Sequence, residues 1–296
     1  MTVLPLRAAR RSSAARRRSG PVARALSLYA ALGLVTLVVL AALTAPWLGL
    51  RDPLQQDLSA VLLPPGSSGA HGSSLLGTDP IGRDVLARLV FGIRPLLTII
   101  VLAVSLAAAF GLLYGLVAGF SRGRLGQVAM RIADVQLSIP PVILAIVFAA
   151  AMQPGVKSVV IAIALVTWPQ YARVIRSEVL RLRTTEFVLL ARTAGLGRGQ
   201  ILRRHIAPNV LNSFVVLVTL ELSSAVIFAS ALSFLGVGVQ EPTPDWGNML
   251  ASGTAYMQTS WWLVVLPGLA ITALILSINV IGDRLRDFAD PKSRNR

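Results

Sequence analysis

The stretch RTAGLGRGQILRRHIAPN, Arg192–Asn209, interrupts a chain dominated by apolar runs. It carries four arginines and three glycines in eighteen residues, with long hydrophobic segments on both sides. Whether it enters a membrane or stays outside fixes the number of spans. Six arginines lie between Arg181 and His205. At ~2.5–3.5 kcal/mol each near the centre of a membrane helix, they cost on the order of 15–20 kcal/mol. The apolar residues among them return only roughly 0.3–0.6 kcal/mol each. The segment therefore stays in water.

The rest of the chain is a different material. Of 296 residues, 54% are hydrophobic and 14% charged, and the mean hydropathy is +0.70. A typical soluble domain has about 25% charged residues. The apolar runs are long rather than alternating, so the class is helical integral membrane, not β-barrel. Six segments approach the ~20 residues a membrane helix needs: Ser27–Leu48, Leu96–Gly119, Ile132–Met152 interrupted by Pro140 and Pro141, Val156–Ile175 containing Pro169, Val210–Leu235, and Trp261–Ile281. The first exceeds the h-region of a cleavable signal peptide and reads as an uncleaved span.

The net charge of +15 suggests nucleic acid only if its distribution is ignored. With the N-terminus inside, 23 of the 28 Lys and Arg residues fall on the inner side and five outside: Arg51, Arg83, Arg88, Arg94 and Lys157. That bias places both termini in the cytoplasm. No basic domain with interleaved aromatics supports nucleic-acid binding. The expected organisation is a basic cytoplasmic tail (1–24), a first span with a Pro/Gly-rich external segment (25–94), a transmembrane core (95–285) holding the cytoplasmic loop 181–208, and a second cytoplasmic tail (286–296). A further external segment covers Gly236–Ser260. Gly111, Gly115 and Gly119 share one helix face and favour close helix packing.

The loop has a structure of its own. Thr184 or Thr185 can cap a helix, with Glu186 in its first turn. Phe187, Leu190, Ala191 and Ala194 follow the spacing of one apolar face. Gly195 suits the residue past the helix end, with Arg192 in the last turn. A second short helix places Ile201, Leu202 and Ile206 on one side, and Pro208 marks entry to the next span. From the residues alone, two readings stay open: a hairpin resting on lipid, or a docking site for a cytoplasmic partner.

Chemistry is sparse. There is no cysteine. The two histidines, His71 and His205, fall on opposite sides of the membrane, which disfavours a His-based metal site. Neither lysine sits in a phosphate-binding G-x-x-x-x-G-K-[ST] motif. GLGRG, Gly195–Gly199, has no strand before it. No nucleophile–base pair is visible. Glu221 is the exception, a carboxyl in the middle of the fifth span beside Ser224, where an acid faces a bundle interior or an aqueous path.

EFVLLARTAGLGRGQILRRHIAPN resembles the conserved cytoplasmic loop of ABC-importer permeases, with the pattern E-A-A, three residues, Gly, nine residues, I-x-L-P. Gly195 takes the glycine place, Ala207 and Pro208 the final pair, and Leu189, Leu190 and Ala191 fall at E-A-A. The acid of the pattern is absent and His205 replaces its isoleucine. LGTDPIGRDVLARLVFGIRPLL, ADVQLSIPPVILAIVFAA and ALSFLGVGVQEPTPDWGNML resemble the C-type permease of dipeptide, oligopeptide and nickel importers, in the same order and over about 76–290. The resemblance implies an all-α type I importer core formed by spans two to six, in a bacterial inner membrane. It implies a homologous permease partner, two ATPase subunits that carry ATP and Mg, and an extracytoplasmic substrate-binding protein. No cofactor is expected in this chain. Glu186, Leu190, Ala191, Gly195, Arg198 and Pro208 become the ATPase-coupling residues, and Glu221 with Ser224 the translocation path. The rival classes are a stand-alone secondary transporter or channel, and a membrane sensor or assembly subunit. Six spans without an internal repeat argue against the first.

Overall fold

The computed structural model describes residues 21–69, 72–121 and 124–289. Residues 1–20 of the N-terminal basic tail, His71 and the last seven residues lie outside the described residues. Helix α1 (Pro21–Thr44) ends in a 3-10 turn (Ala45–Trp47). An external segment follows, holding a small antiparallel hairpin of β1 (Ser67–Gly69) and β2 (Gly72–Ser74), paired Ser67 to Ser74 and Gly69 to Gly72. Every other regular element among the described residues is helical.

Helix α2 (Val85–Phe120) starts eleven residues before the sequence suggested. The cause is Asp84, whose carboxylate accepts the Ala87 N–H at 2.8 Å and caps the helix. Its 36 residues reach about 54 Å at 1.5 Å each, well beyond ~30 Å of hydrocarbon. Part of GRDVLARLVFGIRP is thus helix rather than external loop.

The expected third span is broken. Helix α3 (Arg124–Leu137) and α4 (Pro141–Ala150) meet at 86°. Pro140 sits at φ −55°, ψ 124°, outside the helical region, and Pro141 opens α4. A proline disfavours helical geometry in the residue before it and supplies no N–H to a continuing helix. Among the described residues, and counting this pair as one, six segments are long and apolar enough to cross a membrane; five are single helices.

Helix α5 (Val156–Leu182) runs seven residues past its apolar part. Helices α6 (Glu186–Thr193) and α7 (Arg198–Ile201) form the loop hairpin, and a π turn (Leu202–Ile206) joins them to α8 (Ala207–Phe234). A short external helix, α9 (Trp246–Thr254), precedes α10 (Trp262–Ala289).

The α2–α5 pair anchors the bundle, and the three glycines explain why. A Cβ on Gly115 would lie 2.7 Å from the Ala172 carbonyl and 2.8 Å from Ile175 Cβ; one on Gly119 would lie 2.8 Å from Val179 Cβ. One on Gly111 would collide with Tyr171. Only hydrogen at these positions lets the helices touch. The opposite face of α2, with Leu102, Leu106, Leu113 and Val117, stays exposed.

Candidate functional site: the hairpin and the charge clamp

The hairpin begins at Thr185, which occupies the N-cap position of α6 with extended backbone. Its hydroxyl does not cap; it donates to the Leu182 carbonyl at 2.6 Å. Glu186 lies exposed in the first turn. The other end of α6 follows from one glycine. Gly195 has φ +81°, the Gly195 N–H donates to Arg192 O at 3.0 Å, and the Leu196 N–H donates to Ala191 O at 3.1 Å. These two bonds make a Schellman ending, which requires the left-handed conformation that glycine adopts at least cost.

The inward face matches the one the spacing suggested only at Ala191. Val188 and Ala191 point inward and pack with Ile201, Ile206 and Val210 beneath the ends of α2 and α5. Phe187 and Leu190 point outward, 41% and 68% exposed, together with Leu189. Ala194 is exposed too. The reason is tertiary: the i, i+3 pair Val188/Ala191 meets the apolar side of the next turn, so residues flanking it turn away. Ala191 is therefore a packing residue of the hairpin, and Leu190 a surface residue.

On the far side, Ile201 and Ile206 are fully buried, as their spacing suggested. Arg198, Arg203 and Arg204 are exposed. Gly199, Gln200, Arg203 and Arg204 frame an open cavity of about 520 Å³. His205 packs beside Phe187, ring centroids 6.4 Å apart. Pro208 falls in the first turn of α8, where a missing N–H costs nothing, and is exposed. The hairpin thus shows water a small apolar patch rimmed by cations, held between two membrane helices.

Glu221 and Ser224 lie on α8 one turn apart, both half-buried, and the Ser224 hydroxyl hydrogen-bonds the Glu221 carboxyl. Tyr171 of α5 lies within electrostatic reach of Glu221, and its buried hydroxyl has no partner among the described residues. A cavity of about 430 Å³ lies toward the hairpin end of the bundle between α5, α8 and α10, lined by Glu178, Asn212, Ser213, Leu217 and Leu220 among others. It stops short of Glu221.

At the end of the bundle opposite the hairpin, four charges form a closed ring; of these, Arg83 and Arg88 entered the sequence analysis only as topology markers, and Asp79 and Glu241 had no role there. Asp79 Oδ2 accepts from Arg83 Nε at 2.6 Å and from Arg88 Nη1 at 3.1 Å. Glu241 accepts from Arg83 at 2.7 Å and Arg88 at 2.9 Å. Trp246 adds an indole bond to the Leu89 carbonyl, and Trp262 one to Thr78. The ring locks the segment before α2 to the segment before α9. Its only sequence signal is that the stretches 51–94 and 236–260 carry charges, without any indication of which of them pair.

The helical bundle, with two long apolar helices joined by a bent hairpin, fits what comparison with known proteins shows. The family of binding-protein-dependent transport system inner membrane components matches residues 111–295, and the chain belongs to it. It is a multi-pass inner-membrane permease subunit of an ABC importer, of the C type. Among similar proteins, the di/tripeptide transport system permease protein DppC of Pseudomonas aeruginosa is 44% identical, over 88% of this chain and 86% of that protein. The dipeptide transport system permease protein DppC of Haemophilus influenzae is 37% identical, over 87% and 88%. The probable D,D-dipeptide transport system permease protein DdpC of Escherichia coli is also 37% identical, over 88% and 86%. An inward-facing structure of the MetNI methionine ABC transporter superposes with a TM-score of 0.58 at 19% identity, over 69% of this chain and 97% of that one, which shows the shared fold.

Proposed function

We propose that the chain forms half of the pathway through which an ABC importer takes up short peptides. Support for peptides comes from the relatives, whose names include di/tripeptide, dipeptide and D,D-dipeptide transport. In this reading a homologous permease forms the other half, an extracytoplasmic binding protein delivers the solute, and two ATPase subunits carry ATP and Mg. Residues 95–285 are the transport core, and both termini face the cytoplasm.

One observation carries the coupling role. The α6–α7 hairpin exposes Phe187, Leu189 and Leu190 to water while Val188 and Ala191 fasten it to the bundle. Such a patch on a rigid mount transmits a push from a partner to α5 and α8. Glu186, Leu190, Gly195, Arg198 and Pro208 shape the seat, and Ala191 secures it from within. ATP-driven closure of the ATPases moves the hairpins and opens the path outward; hydrolysis resets it.

Purification tests this reading. The full chain, tagged and extracted with its operon partners, is expected to carry two ATPases and a second permease, and to support ATP-dependent peptide uptake in liposomes. A chain that purifies alone and transports alone overturns it. Because the chain has no native cysteine, cysteines placed at Thr243 and Thr193 check the topology: an impermeant thiol reagent labels the first in intact cells and leaves the second unlabelled.

A further inference from the structure

We infer that the hairpin holds a specific site for the phosphate-bearing headgroup of an anionic inner-leaflet phospholipid. Where α2 and α5 end and the hairpin folds back, Phe120, Arg183, Arg192, Leu196, Arg198 and Ile201 line a cavity of about 260 Å³. Three arginines line it and no acidic residue does. Arg183 is fixed in place, its Nη1 donating to the Gly119 carbonyl at 2.8 Å. Arg192 and Arg198 make no hydrogen bond or ion pair with any described residue, unlike Arg173 and Arg181, which pair with Asp134 and Glu178.

Three like charges around one hollow repel one another unless an anion sits between them. The guanidinium fork matches phosphate oxygens in pairs, which a single ammonium does not. The cavity is smaller than the ~300–1,000 Å³ of sites for free small molecules. Its other wall is apolar: Phe120, Leu196 and Ile201. A free phosphate ion has no use for that wall, whereas a glycerol backbone and the start of an acyl chain do. Depth agrees, because Phe120 is the last residue of a spanning helix, at the level of inner-leaflet headgroups. The site thus joins the membrane surface to both halves of the hairpin. It shares Arg198 with the seat assigned to the ATPase but adds Arg183 and Arg192, so the inference goes beyond the coupling reading and rests only on the hairpin's proposed cytoplasmic position.

Arg192 tests it best, since it lies outside the residues assigned to the ATPase seat. The complete transporter, with its permease and ATPase partners, is reconstituted in nanodiscs of phosphatidylcholine with phosphatidylglycerol. Native mass spectrometry then counts retained phosphatidylglycerol and, in the same spectra, retained ATPases. Arg192→Glu is expected to lower phosphatidylglycerol retention by at least about fivefold with the ATPases still bound. A photoactivatable phosphatidylglycerol analogue on the wild-type complex is expected to label the peptide spanning 183–201, a readout that needs no variant to fold. Unchanged retention in Arg192→Glu, or absence of label from that peptide, overturns the proposal. Displacement of the lipid by millimolar inorganic phosphate assigns the site to a free anion and overturns the lipid source. Loss of the ATPases with lipid retained assigns Arg192 to the protein interface instead.

Discussion

Arg88 donates to Glu241 at 2.9 Å across 153 residues of sequence. The Arg88 side chain is 1% exposed, and Asp79 holds its other amino group. An unpaired buried charge is costly, so this arginine specifies which external segments meet. Arg88→Met strands two carboxylates on Arg83 alone. Removing one partner of a buried pair costs ~3–5 kcal/mol, and about 3 is expected here because Arg83 still serves both acids. Glu241 is 45% exposed and screened by water, so Glu241→Gln is expected to cost about 1 kcal/mol or less. Thermal unfolding of the purified complex, with protease sensitivity of residues 236–245 as local probe, measures both. Equal effects of the two substitutions contradict the assignment of Arg88 as the buried hub.

The same external cap has an acid with the opposite pH response to an ordinary salt bridge. Burial pushes the Asp245 carboxyl above the usual aspartate range, against hydrogen bonds from Asn248, Ser233 and Gly247, with Glu241 adding to the rise. A folded-state pKa above the unfolded ~3.9 means the folded cap binds this proton more tightly. Its contribution is therefore full below ~3.9 and is lost as pH rises through the folded value. Asp245→Asn is expected to remove that slope while keeping an acceptor for the Asn248 N–H, at 3.1 Å in the wild type. Asp245→Ala loses the cap, at about 1 kcal/mol. The comparison is the difference in melting temperature between wild type and each variant across acidic to neutral pH. A wild-type–Asn difference that grows toward acid, with the Asn form the more stable there, contradicts the sign.

How much of this was legible beforehand depended on the range of the interaction. Apolar runs report burial in lipid directly, so all six segments showed in the sequence. The start of α2 and the end of α5 did not, because Asp84 caps α2 ahead of its apolar stretch and α5 continues past its own into charged residues, and hydropathy is blind to both. Gly195 was readable since one glycine and one backbone angle decide a helix end. Of the inward face of α6 only Ala191 was, because Val188 faces inward through its packing with Ile201 and Ile206, a contact the spacing within α6 does not encode. The external ring escaped for the same reason on a larger scale: Glu241 lies 158 residues from Arg83. The 86° break at Pro140–Pro141 appeared only as an interruption.

Glu221 offers a sharper functional test. It is half-buried in α8, hydrogen-bonded to Ser224, and faces the α5 side that carries Tyr171. In the pathway role proposed for Glu221 and Ser224, Glu221→Gln lowers peptide uptake several-fold with normal complex yield, and Glu221→Leu lowers it further. A buried structural acid gives the reverse pattern: yield falls, and the uptake per assembled complex does not. Ser224→Ala separates the residues, since it removes the carboxyl's partner and leaves the acid in place. Normal uptake per complex in all three variants removes the role.

The hairpin prediction turns on separating its mount from its surface. Gly195 has open space where a Cβ would go, so any penalty there is backbone strain at φ +81° rather than collision. A left-handed residue other than glycine costs roughly 1–2 kcal/mol, less for asparagine and more for a β-branched side chain. Gly195→Asn is therefore expected to retain most coupling and Gly195→Val to lose it. Ala191 is 8% exposed and packed among Val188, Ile201 and Ile206, so Ala191→Trp overfills the mount and unseats the hairpin itself. Leu190, 68% exposed, is the surface control: Leu190→Asp leaves that packing intact and places a charge on the patch. ATPase co-purification and the ratio of ATP hydrolysed to peptide taken up are the readouts. Leu190→Asp is expected to weaken ATPase association with six spans still inserted and with the hairpin still protected from protease. Gly195→Val and Ala191→Trp are expected to expose the hairpin to cleavage as well. If Leu190→Asp keeps full association and tight coupling while a crosslinker at position 190 reaches only lipid, the patch rests on the membrane and the ATPase seat lies elsewhere.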